Sequence, residues 1–494
     1  MLPKKYLKAF LLILIFQIIL LLVFVFLRLI DFDEGLYLSA AYLVKCGKLP
    51  YLDFFYNQMP YLPYAYSFAT GTGFSSLFFG RLISAVASLL LGILLFRFAH
   101  KLSQDAKVSL FVFFLYSFHG LILTWHSTVK TSTFSDLFSF VSFIFFTSYV
   151  ISQKQRAKNF MLLFCGIFIG LALNFRLTHL VILISEGILI FLLFRSERMK
   201  RKIYNFVFLL FGAILSSSFA IYLFFKNPQI FLFDNLIFRQ VWGLEVIKMS
   251  FLSRLFTFSK FLFYPQNLFI LILVALSLAY LIKQLKKTHN LTPENRIIIT
   301  SLSLALSIIV VSFLISPTQF QYFEQALSFL LIASIPALRE LKSSWQNKKI
   351  VIGGVGAFYL LFIIPFVLIF VFGVREKDRQ FQLKQIRKVV EVIQENSEAK
   401  ERILALWPGY VVLSGREPLP GMETGGWEIA HLFSPQKLKK SKLFNRQKMK
   451  EIILEKKVSL IVDWNWFLSE FNDLLDANYR HIKTIGSVKI YKAK

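Results

Sequence analysis

Long apolar runs, broken by short polar and mostly basic stretches, set the pattern of this chain. Apolar windows lie near residues 10–30, 82–99, 108–124, 133–151, 160–174, 178–194, 203–225, 267–283, 297–315, 321–338 and 350–373. A run of about 18 apolar residues can cross a bilayer. With no water to satisfy its backbone, it must do so as a helix. Spanning strands would instead show about ten residues of alternating polarity. The pattern therefore predicts a polytopic α-helical membrane protein with about 11 transmembrane helices.

The breaks are of two kinds. One set carries Lys4, Lys5 and Lys8; Lys101 and Lys107; Lys154, Arg156 and Lys158; Arg198 to Lys202; Lys283, Lys286 and Lys287; and Arg339 and Lys342. The other set holds only Lys45, Lys48, Lys130 and Arg176 among its short loops. Basic loops stay on the cytoplasmic side, so the N-terminus is expected inside and the C-terminus outside. Three outward segments are long: 31–81, about 226–266, and the tail from 375 to 494. The tail turns charged and globular. ILALW (403–407), VVL (411–413), LIVDW (460–464) and VKIY (488–491) are expected as short strands, with helices over 379–398 and 436–456. The expected organisation is a transmembrane domain over 1–374 and a small soluble extracytoplasmic α/β domain over 375–494, long enough to bury a core.

Composition agrees. The chain is 56% hydrophobic and 17% aromatic, with a mean hydropathy of +0.61. The net charge of +28 is scattered through loops rather than gathered in one stripe, which is a membrane pattern and no sign of nucleic acid. The two cysteines, Cys46 and Cys165, fit no disulfide framework or metal spacing. The N-terminal apolar run is too long for a signal-peptide core and is expected to be retained as the first span.

Candidate chemistry concentrates in residues 31–63, DFDEGLYLSAAYLVKCGKLPYLDFFYNQMPYLP. Asp31, Asp33 and Glu34 stand where the chain leaves its first span. Asp33 is expected to cap a surface helix over 34–46, ended by Gly47 with Pro50 beyond. A cap accounts for one acid. Three within four residues at the bilayer edge, where carboxylates are costly, point to a functional site.

This stretch resembles the integral-membrane GT-C glycosyltransferases of the protein O-mannosyltransferase and aminoarabinose transferase group. The resemblance is carried by one span followed by Asp33-Glu34-Gly35, then by Gly47-Lys48-Leu49-Pro50-Tyr51-Leu52-Asp53-Phe54-Phe55, by Met59-Pro60-Tyr61-Leu62, and by Gly80-Arg81-Leu82 with Ser84 at the entry to the second span. It implies transfer of a sugar from a polyprenyl-phosphate donor to a glycan, lipid or protein acceptor on the outer face. A bacterial inner membrane is the expected location. An acceptor hydroxyl is a weak nucleophile, so a carboxylate must take its proton. The resemblance gives that role to Asp33, with Glu34 orienting it or raising its pKa by like-charge proximity. Asp136 matches the second acidic position of the group.

The implied substrate-binding residues are Asp53, Gln58, Arg81, Arg176, Gln319 and Tyr322. Gln58 stands where related enzymes often carry a phosphate-binding lysine, and Arg81, Lys130 or Arg176 would have to compensate. Plainer readings stand beside these: Asp136 as a helix N-terminal acid, Arg176 as a snorkelling arginine, and Tyr322 as an interfacial aromatic. A lipid-phosphate donor needs no ion, so neither metal nor cofactor is expected despite the Asp31-Phe32-Asp33 spacing. Trp427, Trp464 and Trp466 in the tail are candidates for stacking on sugar rings or for the core. The competing functional classes are a polysaccharide polymerase or ligase, a lipid-linked sugar flippase or transporter, and a non-catalytic membrane subunit.

Overall fold

In the computed structural model the apolar runs are helical; the structure describes all residues except 1–2, 72, 195–196, 289–290, 346–348, 376–379 and 465–467. The first nine α-helices are α1 (Lys4–Leu27), α2 (Phe32–Lys45), α3 (Tyr61–Ser67), α4 (Phe74–Ser103), α5 (Ala106–Ser117), α6 (Gly120–Trp125), α7 (Thr131–Ile151), α8 (Gln155–Phe175) and α9 (Leu180–Leu193). Among the described residues, seven helices are long and apolar enough to cross a membrane. The number is eight if Met199–Ser216 and Ser218–Lys226, bent by 65°, count as one span.

Three of the eleven apolar windows do not form one long helix. The 108–124 run divides at His119, whose Nδ1 accepts from the Leu121 N–H at 3.3 Å and starts the six-residue α6. The 178–194 run yields only a shorter apolar helix. The 321–338 run breaks into a 3₁₀ segment, Phe320–Ala326, and the helices Leu327–Ala333 and Ile335–Trp345. All seven residues of Leu327–Ala333 are buried. The 108–124 and 321–338 runs are enclosed largely by protein, where irregular backbone at membrane depth is tolerated, whereas the 178–194 run keeps Leu180, Ile184, Ile188 and Leu192 exposed along one face.

Close helix contact holds the bundle. A Cβ at Gly166 on α8 would lie 2.0 Å from the Leu209 carbonyl oxygen, and one at Gly212 2.2 Å from that of Leu163. Only glycine lets the two backbones approach so nearly. Glu186, the mid-span acid a transporter would need, is 0% exposed and accepts hydrogen bonds from the Ser142 hydroxyl at 3.0 Å and the Cys165 thiol at 3.3 Å.

The tail forms a five-stranded sheet in the order β2-β1-β3-β5-β4, with β1 (Arg402–Ala405), β2 (Glu417–Pro418), β3 (Leu460–Trp464), β4 (Tyr479–Ile485) and β5 (Val488–Ala493). β1 pairs in parallel with β2 and β3, and β5 runs antiparallel to β3 and β4. Two sequence expectations change. VVL lies in a helix, Pro408–Ser414, which opens on Pro408 and closes on Gly415 at φ +74°, the punctuation of a helix rather than a strand. The mostly polar YRHIKTI is a strand because it forms the sheet edge, with its middle residues open to water. Trp466 lies outside the described residues, while Trp464 stacks on Phe32 at 5.4 Å.

One face of the sheet shares its core with the first loop. Ile386, Val389 and Ile393 of the helix Leu383–Asn396 join Ile403, Val462 and Ile490 of the sheet in one apolar cluster, which continues into Tyr37, Leu38, Ala41 and Tyr66. Polar bonds close the seam. The Trp407 indole N–H donates to the Phe32 carbonyl at 2.9 Å, Ser39 donates to the Glu423 carbonyl at 2.5 Å, and Thr424 donates to that of Phe55. Gly35 makes the fit possible: a Cβ there would stand 2.6 Å from the Trp407 ring and 2.8 Å from the Gly409 Cα. Gly35→Ala is therefore expected to destabilise the protein by about 1–3 kcal/mol through overpacking. A lowered thermal midpoint and faster proteolysis of the tail would register this; an unchanged midpoint would mean that Trp407 does not seat there.

Candidate active site

The chain leaves α1 in extended form, and the N–H groups of Leu29 and Ile30 donate to the carbonyls of Phe370 and Phe381. It then turns into α2, whose cap is Asp31 rather than Asp33. Asp31 Oδ1 accepts from the Asp33 N–H at 3.1 Å, and Glu34 Oε2 accepts from the Asp31 N–H at 2.8 Å, a reciprocal capping box. The shift by two residues frees the Asp33 side chain. Successive helical positions diverge by about 100°, so Asp33 and Glu34 face different surroundings.

Glu34 points inward and is 0% exposed. Its carboxylate takes Nε and Nη2 of Arg81 at 2.7 and 2.6 Å and the Val129 N–H at 3.1 Å. Arg81 spends its other three N–H groups on the carbonyls of Val25, Arg28 and Leu29, at 2.9 to 3.1 Å. Two sequence expectations are corrected here. Arg81 has no donor left for a phosphate, and Glu34 is committed to Arg81, so the like charge beside Asp33 is Asp31.

Asp33 faces a cleft, its side chain 41% exposed, with Oδ2 3.4 Å from Lys130 Nζ. The same ammonium lies 3.3 Å from Asp31 Oδ1 and 4.3 Å from the centre of the Trp125 ring. Loss of water raises both carboxyls. At Asp31 the Lys130 and Arg28 cations outweigh it and hold the group below its ordinary range. At Asp33 desolvation wins, Asp31 adding to it against the pull of Lys130, so that carboxyl sits above its ordinary range. Lys130, drawn down by burial, is pushed higher overall by the two acids.

Around Asp33 gather groups from distant segments. Tyr37, one turn on, accepts from Gln58 Nε2 at 3.2 Å, and the Gln58 carbonyl accepts from Tyr51 at 2.5 Å. Arg239 donates from Nε to the Asn57 carbonyl at 2.7 Å and acts electrostatically on both Asp33 and Tyr37. It rides on a stretch with two π-helical turns, Phe233–Ile237 and Trp242–Ile247, a distortion frequent at functional sites. Buried Asp234 ties that stretch down by accepting from the Tyr56 N–H at 3.1 Å. Tyr322 reaches Lys130 electrostatically and carries the Arg176 guanidinium 4.7 Å over its ring. The amides of Gln319 and Gln321 bond to each other.

Two predicted residues stand apart. Asp53 is exposed and closes its own turn by accepting from the Leu49 N–H at 2.7 Å. Asp136 is buried beside His126 and His179 at 3.2 and 3.5 Å, enclosed by protein rather than open to the cleft. The arrangement supplies one solvent-reachable carboxylate of raised pKa, a lysine that holds it, and an arginine at the cleft edge. Tyr37 and Arg239 were not among the predicted residues. Their only sequence signal was a tyrosine one turn after Asp33 and one of several scattered basic residues in the segment 226–266.

Residues 57–222 match the family model described as dolichyl-phosphate-mannose-protein mannosyltransferase. No curated protein sequence matches the chain. The fold is similar to that of ArnT from Cupriavidus metallidurans. The crystal structure bound to undecaprenyl phosphate matches with a TM-score of 0.67 at 12% identity, over 97% of this chain and 97% of that one. The apo crystal structure matches with 0.69 at 11%, over 99% and 98%. The resemblance drawn from the first loop is thus met by both a sequence-family and a fold comparison.

The Glu34–Arg81 pair generates a stability prediction. Arg81→Met leaves a buried carboxylate without its cation and should cost about 3–5 kcal/mol. Arg402→Ala, which breaks an exposed pair with Glu417 at 3.7 Å, should cost less than about 1 kcal/mol. Thermal unfolding in detergent compares the two.

Proposed function

We propose that the protein is a glycosyltransferase moving a hexosyl or pentosyl unit from a polyprenyl-phosphate donor to a glycolipid, polysaccharide or protein acceptor of the cell envelope. The observation that carries this is Asp33: an ionisable, partly exposed carboxylate at the membrane edge, held by Lys130 and faced by Arg239. The undecaprenyl phosphate held by ArnT, a protein of similar fold, supports the donor class. The loop charges support an N-terminus inside, a C-terminus outside and a reaction on the extracytoplasmic face of a bacterial inner membrane.

Asp33 takes the proton of the acceptor hydroxyl as its oxygen bonds to the anomeric carbon. The bond from that carbon to the phosphate oxygen breaks, and polyprenyl phosphate leaves with the electron pair. Negative charge grows on the phosphate and needs donors aimed at it. Arg239, with Nη groups beyond its Nε bond to Asn57, and Gln58 meet it at the cleft edge, in place of the lysine this chain lacks. Lys130 keeps Asp33 ionised and oriented, and Arg176 on Tyr322 closes the opposite side.

The test is transfer of labelled sugar from polyprenyl-phosphate donors by purified wild type, Asp33→Asn and Arg239→Gln. Asp33→Asn should lower the rate by about 10²–10⁴ at equal expression; a wild-type rate would put the base elsewhere. Arg239→Gln should impair use of the donor while leaving acceptor affinity alone.

The rate should also fall on the acid side, as Asp33 gains its proton. Asp31 raises the Asp33 pKa and Lys130 lowers it. Asp31→Asn should accordingly move the acid limb to lower pH and Lys130→Gln to higher pH, which pH–rate profiles of the two variants check.

A further inference from the structure

Beneath the cleft, four side chains from four separate segments converge. His126 caps the end of α6, Asp136 lies on α7, His179 ends the 3₁₀ turn Leu177–His179, and Glu324 sits in the 3₁₀ segment Phe320–Ala326. They are 0%, 3%, 1% and 2% exposed. Asp136 is the hub, with Oδ2 3.2 Å from His126 Nε2 and Oδ1 3.5 Å from His179 Nε2. One donor atom each of His126, Asp136 and Glu324 falls within 4.8 Å of the others.

The protein leaves this cluster unfinished. Asp136 Oδ1, both ring nitrogens of His179 and Glu324 Oε2 have no hydrogen-bond partner. Two carboxylates buried together are costly unless a cation joins them. Among the described residues no lysine or arginine forms an ion pair with either one. The donors also crowd too closely to line a sugar-sized space. A single ion fits their chemistry and spacing. Tetrahedral sites of nitrogen and oxygen donors at about 2.0–2.2 Å put neighbouring donors about 3.3–3.5 Å apart, near the two separations around Asp136. His126 is already oriented as a ligand. Its Nδ1 lies 3.3 Å from Ser88 Oγ and 3.5 Å from the Tyr116 hydroxyl. Its Nε2 hydrogen-bonds Asp136 Oδ2 at 3.2 Å, and the Nδ1 contacts are the outer-shell support that ligating histidines use when an ion takes the place of the Nε2 proton.

We infer that His126, Asp136 and Glu324, with His179 beside Asp136, form a site for a divalent cation of the zinc type. Such an ion joins the segments that carry Lys130, Arg176 and Tyr322, and so braces the floor of the cleft. Its position is organising rather than reactive, because Asp136 follows Lys130 by six residues, about 9 Å along the helix. This inference does not depend on the transferase reading.

The test is zinc content. Tag-free wild type, exposed to zinc chloride and desalted, should retain about one equivalent per chain by elemental analysis. Asp136→Asn and the double variant H179Q/E324Q should retain at least about tenfold less. X-ray absorption on the wild type should report nitrogen and oxygen ligands with imidazole scattering, and a chelator should lower its thermal midpoint. That wild-type arm covers the case in which the variants fail to fold. Wild type without bound zinc, or variants holding as much as wild type, would overturn the site.

Discussion

The buried contact between Glu34 and Arg81 is the constraint on which the first loop and its surroundings depend. Arg81 receives the unpaired carbonyls at the end of α1, and Glu34 closes the first turn of α2. One ion pair therefore fixes where the first span stops, where the surface helix begins, and how both lie against α4. Arg81 also accounts for the energetics. A lone carboxylate at that depth would be driven to take up a proton or to reach water; with all five guanidinium donors engaged, neither happens. Asp33, one position earlier, is left to the cleft by the geometry of the helix alone.

Much of this was legible in the sequence, and the rest was hidden for physical reasons. The order of the apolar helices follows from hydropathy. The resemblance carried by Asp33-Glu34-Gly35 and Gly47 to Phe55 pointed to the right fold. The cap was misplaced because Asp31 and Asp33 are equally good caps locally. The choice between them rests on Glu34 meeting Arg81, 47 residues away, which no local pattern carries. The breaks within the 108–124 and 321–338 runs were not legible, because a run buried among helices is as apolar as one facing lipid. Arg239 could not be assigned a role, and Glu324 was grouped only with its neighbours Gln319, Gln321 and Tyr322, for a similar reason. Their segments announce only that they are outward or apolar, and their partners come from other parts of the chain.

The candidate site is built in two storeys. The upper one is polar, partly wet and electrostatically tuned, with Lys130 shared between two unequal carboxylates. The lower one is buried, with His126, Asp136, His179 and Glu324 gathered together. The short stretch from Trp125 to Asp136 links them: it contributes the ring under the Lys130 ammonium, the ammonium itself and the central carboxylate below. A disturbance of the start of α7 would be felt in both storeys at once.

The seam between the tail and the first loop has a consequence for the order of events when the chain is made. The Trp407 indole seats on the carbonyl of Phe32, 375 residues earlier. At ordinary rates of synthesis the two are separated by on the order of half a minute. During that interval α2 has crossed into its final surroundings with the notch at Gly35 empty and the apolar flank of Tyr37, Leu38 and Ala41 uncovered. The outward surface is completed only by the last quarter of the chain. A ribosome that stops early thus releases a protein with its apolar helices made and this seam unfinished, exposing the kind of apolar surface that quality-control proteases recognise.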